Sequence, residues 1–254
     1  MGEIWNGFVE ALRMILRGDP YVMKITLFTL YVCGVATLIG MITGIPLGSW
    51  LAFADFPGRR LLVVLVNTGM GLPPVVVGLF VYIFLRRNGP LGFLGWLYTP
   101  KGIILAEAVL AMPLIAGIVL AAMQATDAKM RWQILSLGAS RRGMYATLLA
   151  ENRVSLLTAV MAGFGAVISE VGAAMMVGGN LMLNGEPYTR TLTTATVSAT
   201  NMGEQELAIA LGIILLAITL VLISVMTWLQ QREARGNVPG LRRLRSAMIP
   251  RSPR

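Results

Sequence analysis

The chain has 254 residues, of which 56% are hydrophobic and 13% charged, with a net charge of +9 and no histidine. A soluble domain carries about 25% charged residues, so this much apolar surface points to lipid. The lack of histidine removes the commonest general base and metal ligand, and the single cysteine, Cys33, excludes an intrachain disulfide and a Cys-rich metal site.

The first segment, residues 4–17, is amphipathic. Ile4, Phe8, Leu12 and Ile15 share one helical face, and Asn6, Glu10, Arg13 and Arg17 share the other. It is too short to span a bilayer and reads as a helix lying in the interface, ended by Asp19-Pro20. Glu3 and Glu10 stand where a cleavable signal peptide would carry its basic region, so residues 1–24 are expected to form an N-terminal amphipathic segment.

A spanning helix needs about 20 mainly apolar residues. Five blocks qualify: 25–54, 61–85, 102–123, 154–179 and 207–229. Three carry no charge, the third holds only Glu107 and the fourth only Glu170. The fold class expected is an all-α integral membrane protein, with five transmembrane helices and the short N-terminal helix. Residues 25–229 form the membrane domain, and 230–254 form a basic, mobile tail rich in Arg, Pro and Gly. Beside an apolar block, such a tail reads as charge facing anionic lipid, not nucleic acid.

An odd number of spans separates the termini. The segments 55–60, 124–153 and 230–254 hold 14 of the 21 Lys and Arg. The positive-inside bias therefore places them in the cytoplasm and the N-terminus outside, although Arg86 and Arg87 go against the rule.

The loop 124–153 is the most informative stretch. Met130, Ile134 and Leu137 fall at helical spacing, Gly138 breaks the pattern, and a second amphipathic piece follows. Two short helices at an angle look like a docking element. Leu137-Gly138-Ala139-Ser140 resembles the cytoplasmic loop of binding-protein-dependent ABC permeases. Trp132-Gln133-Ile134 stand where that family carries Glu-Ala-Ala, and Glu151 stands where it carries proline. Other stretches resemble the family in order along the chain. Phe56-Pro57-Gly58-Arg59-Arg60 is similar to its first cytoplasmic turn. Leu72-Pro73-Pro74-Val75-Val76-Val77-Gly78 is similar to the second span of molybdate, tungstate and sulfate permeases. Ile168-Ser169-Glu170-Val171-Gly172-Ala173 and Met176-Val177-Gly178-Gly179-Asn180 resemble their fourth span and the loop after it. Thr191-Leu192-Thr193-Thr194-Ala195 is similar to the tungstate branch in particular.

The resemblance implies a type I ABC importer permease fold in the cytoplasmic (inner) membrane. It also implies two copies of the chain above two ATPase subunits, which would bind ATP and Mg, and an extracytoplasmic oxyanion-binding protein. Trp132, Leu137, Gly138, Ala139, Ser140, Arg141, Arg142 and Tyr145 would form the ATPase-coupling loop. The cargo implied is a tetrahedral oxyanion, tungstate first and molybdate next. Lys24, Lys101 and Lys129 are followed by Ile25, Gly102 and Met130, so the chain lacks the Lys-Ser/Thr of a P-loop and the ATPase is expected on a partner. No cofactor is expected in the chain itself. An autonomous secondary transporter or channel for a small anion is the alternative, but no inverted repeat supports it. For a membrane enzyme, no catalytic group or metal cluster can be assembled.

The candidate pathway or gate residues are Asn67, Pro73, Pro74, Glu170, Gly178, Gly179 and Asn180. Pro73-Pro74 must interrupt a helix, either lining a cavity or making a packing kink. Glu170 reads as a gating contact or as a hydrogen bond to Ser or backbone at a helix contact. Gly178-Gly179-Asn180 reads as an ordinary left-handed helix end, or as a gate contacting oxyanions through backbone N–H groups. Glu107, about one turn from the end of its block, is expected to snorkel or bond at the interface. The 16 Met are apolar fillers.

Overall fold

The computed structural model describes residues 2–236. Its eleven α-helices, in chain order, are α1 (Gly2–Arg17), α2 (Pro20–Phe53), α3 (Arg59–Gly69), α4 (Pro74–Leu85), α5 (Pro100–Gln124), α6 (Ala128–Ser136), α7 (Arg141–Glu151), α8 (Arg153–Ile168), α9 (Gly172–Gly178), α10 (Leu192–Asn201) and α11 (Gln205–Gly236), with a short 3-10 turn at Gly92–Leu94. A two-residue hairpin, β1 (Met182–Leu183) and β2 (Glu186–Pro187), lies between α9 and α10.

Three helices are each long and apolar enough to cross a bilayer: α2, α5 and α11. The other two apolar blocks are bent. α3 and α4 meet at 109°, and α8 and α9 meet at 59°. Pro73-Pro74 breaks the first block as expected. The break in the second, at 169–171, was not expected, and its cause lies in Glu170, described below. The five blocks are thus three single helices and two bent pairs. The last block runs on as helix through residue 236, so residues 230–236, expected as the start of the tail, extend α11. The rest of that tail, 237–254, lies outside the described residues.

α1 ends at Arg17 as expected but begins at Gly2 rather than Ile4, and one of its faces packs on protein. A Cβ on Gly7 would stand 2.5 Å from the Ile209 side chain, Ala11 is buried, and Asn6 Nδ2 donates to Glu206 Oε1 at 2.8 Å. This face lies on α11. Ile4, Phe8, Leu12 and Ile15 stay exposed, with Trp5 and Leu16, as an unpartnered apolar face for lipid. Gly18, at φ +62°, turns the chain, and the Asp19 carboxylate caps α2 by accepting from the Tyr21 and Val22 amides.

The core is the α2–α5 pair. Gly40, Gly44 and Gly48 recur every fourth residue and so share one face of α2. Added Cβ atoms would meet Ala111 from Gly40, the Met112 carbonyl at 2.8 Å from Gly44, and the Ala116 carbonyl from Gly48. The register rises on both helices, so they run parallel with their backbones in contact. In lipid such small-residue stripes let van der Waals packing hold helices together. Val32, Ala36, Ile115 and Val119 fill the seam and are fully buried.

Glu107 corrects the expectation of snorkelling. It is 1% exposed, and its Oε2 has no hydrogen-bond partner among the described residues. Its rotational position on α5 points it at the core, not toward the bilayer surface.

The two ends of the bundle are distinct. At the loop end, the turn 54–58 faces α6 and α7 across a groove, and α11 meets α8 through Arg153 Nε to Glu233 Oε2 at 3.0 Å and Gln230 Nε2 to Thr158 Oγ1 at 2.6 Å. At the hairpin end, Lys24 pairs with Glu186, Arg190 Nη1 reaches the Tyr21 hydroxyl at 3.3 Å, and the Tyr98 N–H donates to the Val177 carbonyl at 2.9 Å.

Candidate functional site

At the loop end, Asp127 caps α6 by accepting from the Lys129 amide at 2.9 Å. The helix stops at Leu137, and Gly138, at φ +85°, reverses the chain in a conformation costly for other residues. Ser140 Oγ then accepts from the Gly143 amide at 3.1 Å and starts α7. Two short helices broken at Gly138 were legible in the sequence, and the structure has them.

Of the eight loop candidates, Trp132 (68% exposed) and Leu137 (88%) stand out from the surface. Gly138, Ser140, Arg141 and Arg142 are exposed, Ala139 is half-buried, and Tyr145 turns inward. The Tyr145 ring lies 5.9 Å from Phe53 at the end of α2, and the Arg131 guanidinium sits 4.8 Å from the same ring. Arg59 fixes that end of α2, donating from Nε to the Leu51 carbonyl at 2.9 Å and from Nη2 to that of Ala52. Between the 54–58 turn and α6–α7 lies an open groove of about 830 Å³ with Trp50, Phe56, Trp132 and Arg141 on its walls. The α6–α7 unit is thus in contact with the end of α2 through Phe53, Arg131 and Tyr145.

Deeper in the bundle the two bends lie side by side. A Cβ on Gly78 would stand 2.7 Å from the Cα of Ala173, and one on Gly172 would stand 2.5 Å from Val75. α4 and α9 therefore touch through small residues immediately after each break. Asn67 and Pro73 are exposed at the first bend, while Pro74 is half-buried at the start of α4. Pro74 suits that place, since its missing N–H is unneeded in a first turn. At the second bend Glu170 is half-buried, and its Oε1 accepts from the Ala173 amide at 3.0 Å. The carboxylate thus caps α9, which explains why the block breaks there and gives Glu170 the backbone hydrogen bond that was one of its two readings.

The structure places Pro73, Pro74 and Glu170 beside the Val75–Gly172 contact, sets Asn67 in α3 before the first bend, and leaves Gly178, Gly179 and Asn180 at the other end of α9, roughly 10 Å along a seven-residue helix. Gly179 (φ +70°) and Asn180 (φ +52°) are both left-handed, and the Gly179 N–H donates to the Met175 carbonyl. This is the ordinary helix end. Asn180 Oδ1 accepts from Arg190 Nε at 3.1 Å, and the Tyr98 ring covers Gly179. Three features escaped sequence reading: the Gly40/Gly44/Gly48 stripe, whose four-residue spacing was an available signal; Arg190, joining Asn180 to Tyr21; and the buried threonines 189–194, whose partners are distant in the chain.

A bundle of apolar helices with two facing breaks and an exposed two-helix loop defines a membrane permease component. Residues 44–235 match the family described as the binding-protein-dependent transport system inner membrane component, and the chain belongs to that family. It is a multi-pass membrane protein with the fold of ABC importer permeases. It is 38% identical, over 82% of its length and 91% of the relative's, to a probable anion ABC transporter permease protein of Haloferax volcanii. It is 35% identical to the tungstate uptake system permease protein TupB of Peptoclostridium acidaminophilum, covering 91% of this chain and 100% of the relative. Among solved structures, an inward-facing conformation of the MetNI methionine ABC transporter superposes with a TM-score of 0.67 at 18% identity, covering 86% of this chain and 98% of the other.

Proposed function

We propose that this chain is the membrane-spanning subunit of an ATP-driven importer of tetrahedral oxyanions, tungstate before molybdate. The observation that carries the cargo is the match to a tungstate uptake permease along that protein's entire length. ATP hydrolysis belongs to separate subunits that dock on the Trp132–Tyr145 loop. Two copies of the chain enclose the pathway, an extracytoplasmic binding protein delivers the anion, and the N-terminus is outside with the C-terminus in the cytoplasm.

Alternating access then works through the geometry above. Closure of the ATPase pair displaces α6–α7, the aromatic and cationic contacts at Phe53 pass the displacement to α2, and the facing bends open to one side or the other. No Lys or Arg lies within the five apolar blocks to hold a dianion, and of their two acids Glu107 is buried in the core. The pathway therefore passes the anion without trapping it, and high affinity resides in the binding protein.

The test is the tungsten and molybdenum content of cells with and without the gene, grown in trace amounts of both oxyanions. Loss of tungsten alone on deletion supports the tungstate reading, and a parallel loss of molybdenum makes this a shared route. No change in either element contradicts the cargo assignment.

A further inference from the structure

The threonines of segment 189–194 are buried, and two of them reach opposite ends of α9. Thr193 Oγ1 donates to the Glu170 carbonyl at 3.1 Å, just before α9 begins. Thr189 Oγ1 donates to the Gly178 carbonyl at 2.7 Å, at its last residue. Thr189 is 0% exposed and also accepts from the Leu181 amide at 2.8 Å. The segment is fixed in turn. Thr191 and Thr194 form a reciprocal capping box at the start of α10, and the Leu192 amide donates to Thr29 Oγ1 of α2 at 2.9 Å.

Against its other neighbour, α4, α9 has a different kind of contact. Gly78 lies on Ala173, and Gly172 lies on Val75. Among the described residues no hydrogen bond joins α4 to α9. A seven-residue helix is too short to hold its shape alone. Hydrogen bonds are directional and costly to leave unmade away from water, whereas a smooth contact of small residues slides without leaving polar groups unpaired.

We propose that Thr189 and Thr193 are positioning residues that lock α9 to the 189–194 segment, and through the Leu192–Thr29 hydrogen bond to α2, so that α9 is held to the frame while α4 slips along its surface as the gate opens. The Tyr98–Val177 backbone hydrogen bond adds a tie at the hairpin end of α9, and the Pro73-Pro74 bend moves past its Glu170 end. This rests on the importer reading for what the gate admits, but the lock itself is a property of the chain.

The test is amide hydrogen exchange of residues 174–179 in the detergent-purified chain, paired with ATP-dependent tungstate uptake by the full transporter in proteoliposomes. Thr189→Val/Thr193→Val removes both ties to α9 together with the Leu181–Thr189 and Thr191–Thr193 hydrogen bonds, and should raise exchange at least about tenfold and lower uptake by a similar factor. Thr189→Ser/Thr193→Ser, which keeps both hydroxyls, should restore both readouts. Thr196→Val removes a hydroxyl that bonds only within α10 and should change neither. Unchanged exchange in the double valine variant overturns the lock, and raised exchange with undiminished uptake overturns its role in gating. If the wild-type assembly accumulates no tungstate, the cargo reading fails while exchange still decides the lock.

Discussion

The α2–α5 seam and the α4–α9 seam are both built on glycines, yet they are built for opposite purposes. Along α2, three glycines at four-residue spacing hold two unbroken helices in backbone contact over several turns. Around α4 and α9, single glycines sit beside breaks of 109° and 59°, and the short helix takes its hydrogen bonds from capping residues and threonines elsewhere. A continuous stripe excludes alternatives, because any shift along it drives Cβ-bearing residues into backbone. A broken helix with one small contact can change its angle at little cost. The first seam is therefore built to serve as a frame, and the second is built to allow the movement proposed for the gate.

Substitutions should separate the two. Gly48→Leu should be the most damaging change, since any side chain there enters the Ala116 carbonyl. It should cost more than about 3 kcal/mol by overpacking and leave little folded protein in the membrane fraction. Gly138→Trp lies outside both seams. Nothing stands within 4 Å of that position, so the strain of a left-handed residue, about 1–2 kcal/mol, is its only folding cost. Thermal unfolding should shift by a few degrees, while co-purification of the ATPase should fall at least about tenfold. Normal co-purification would refute the docking role of the loop.

Glu170→Leu should destabilise by about 1 kcal/mol through loss of the α9 cap, whereas Glu170→Gln retains an acceptor and should lose less, both read as unfolding midpoints. Lys24→Ala should do least. Its partner Glu186 is exposed, and such a pair is worth under about 1 kcal/mol and is screened by salt. A larger effect would place the hairpin end under more tension than the structure indicates.

Which parts were legible follows from the same division. The apolar blocks, the Pro73-Pro74 break, the Asp19-Pro20 stop and the Gly138 turn are local matters of length, missing N–H groups and backbone conformation, and the sequence states them directly. Glu107 was misplaced because a uniformly apolar helix such as α5 gives no sign of which face meets protein and which meets lipid. The break at Glu170 was hidden for a related reason. An acid in an apolar block looks like a lone charge until its carboxylate is seen on the Ala173 amide. Thr189 and Thr193 find partners 11 and 23 residues away, beyond the reach of any local pattern.

The most direct test of a fixed frame beside a moving, water-lined pair of bends is thiol accessibility. Cys33 is buried and should be silent toward a water-soluble maleimide. Cysteines placed at Thr68 and Ser169, both exposed beside the bends, and at Thr37, buried in α2, can be compared in the assembled transporter with and without ATP. The account predicts that Thr68→Cys and Ser169→Cys label and that their rates change on ATP binding, while Thr37→Cys remains unreactive throughout. Bends that stay unlabelled and insensitive to ATP, or a frame position that becomes reactive, would contradict it.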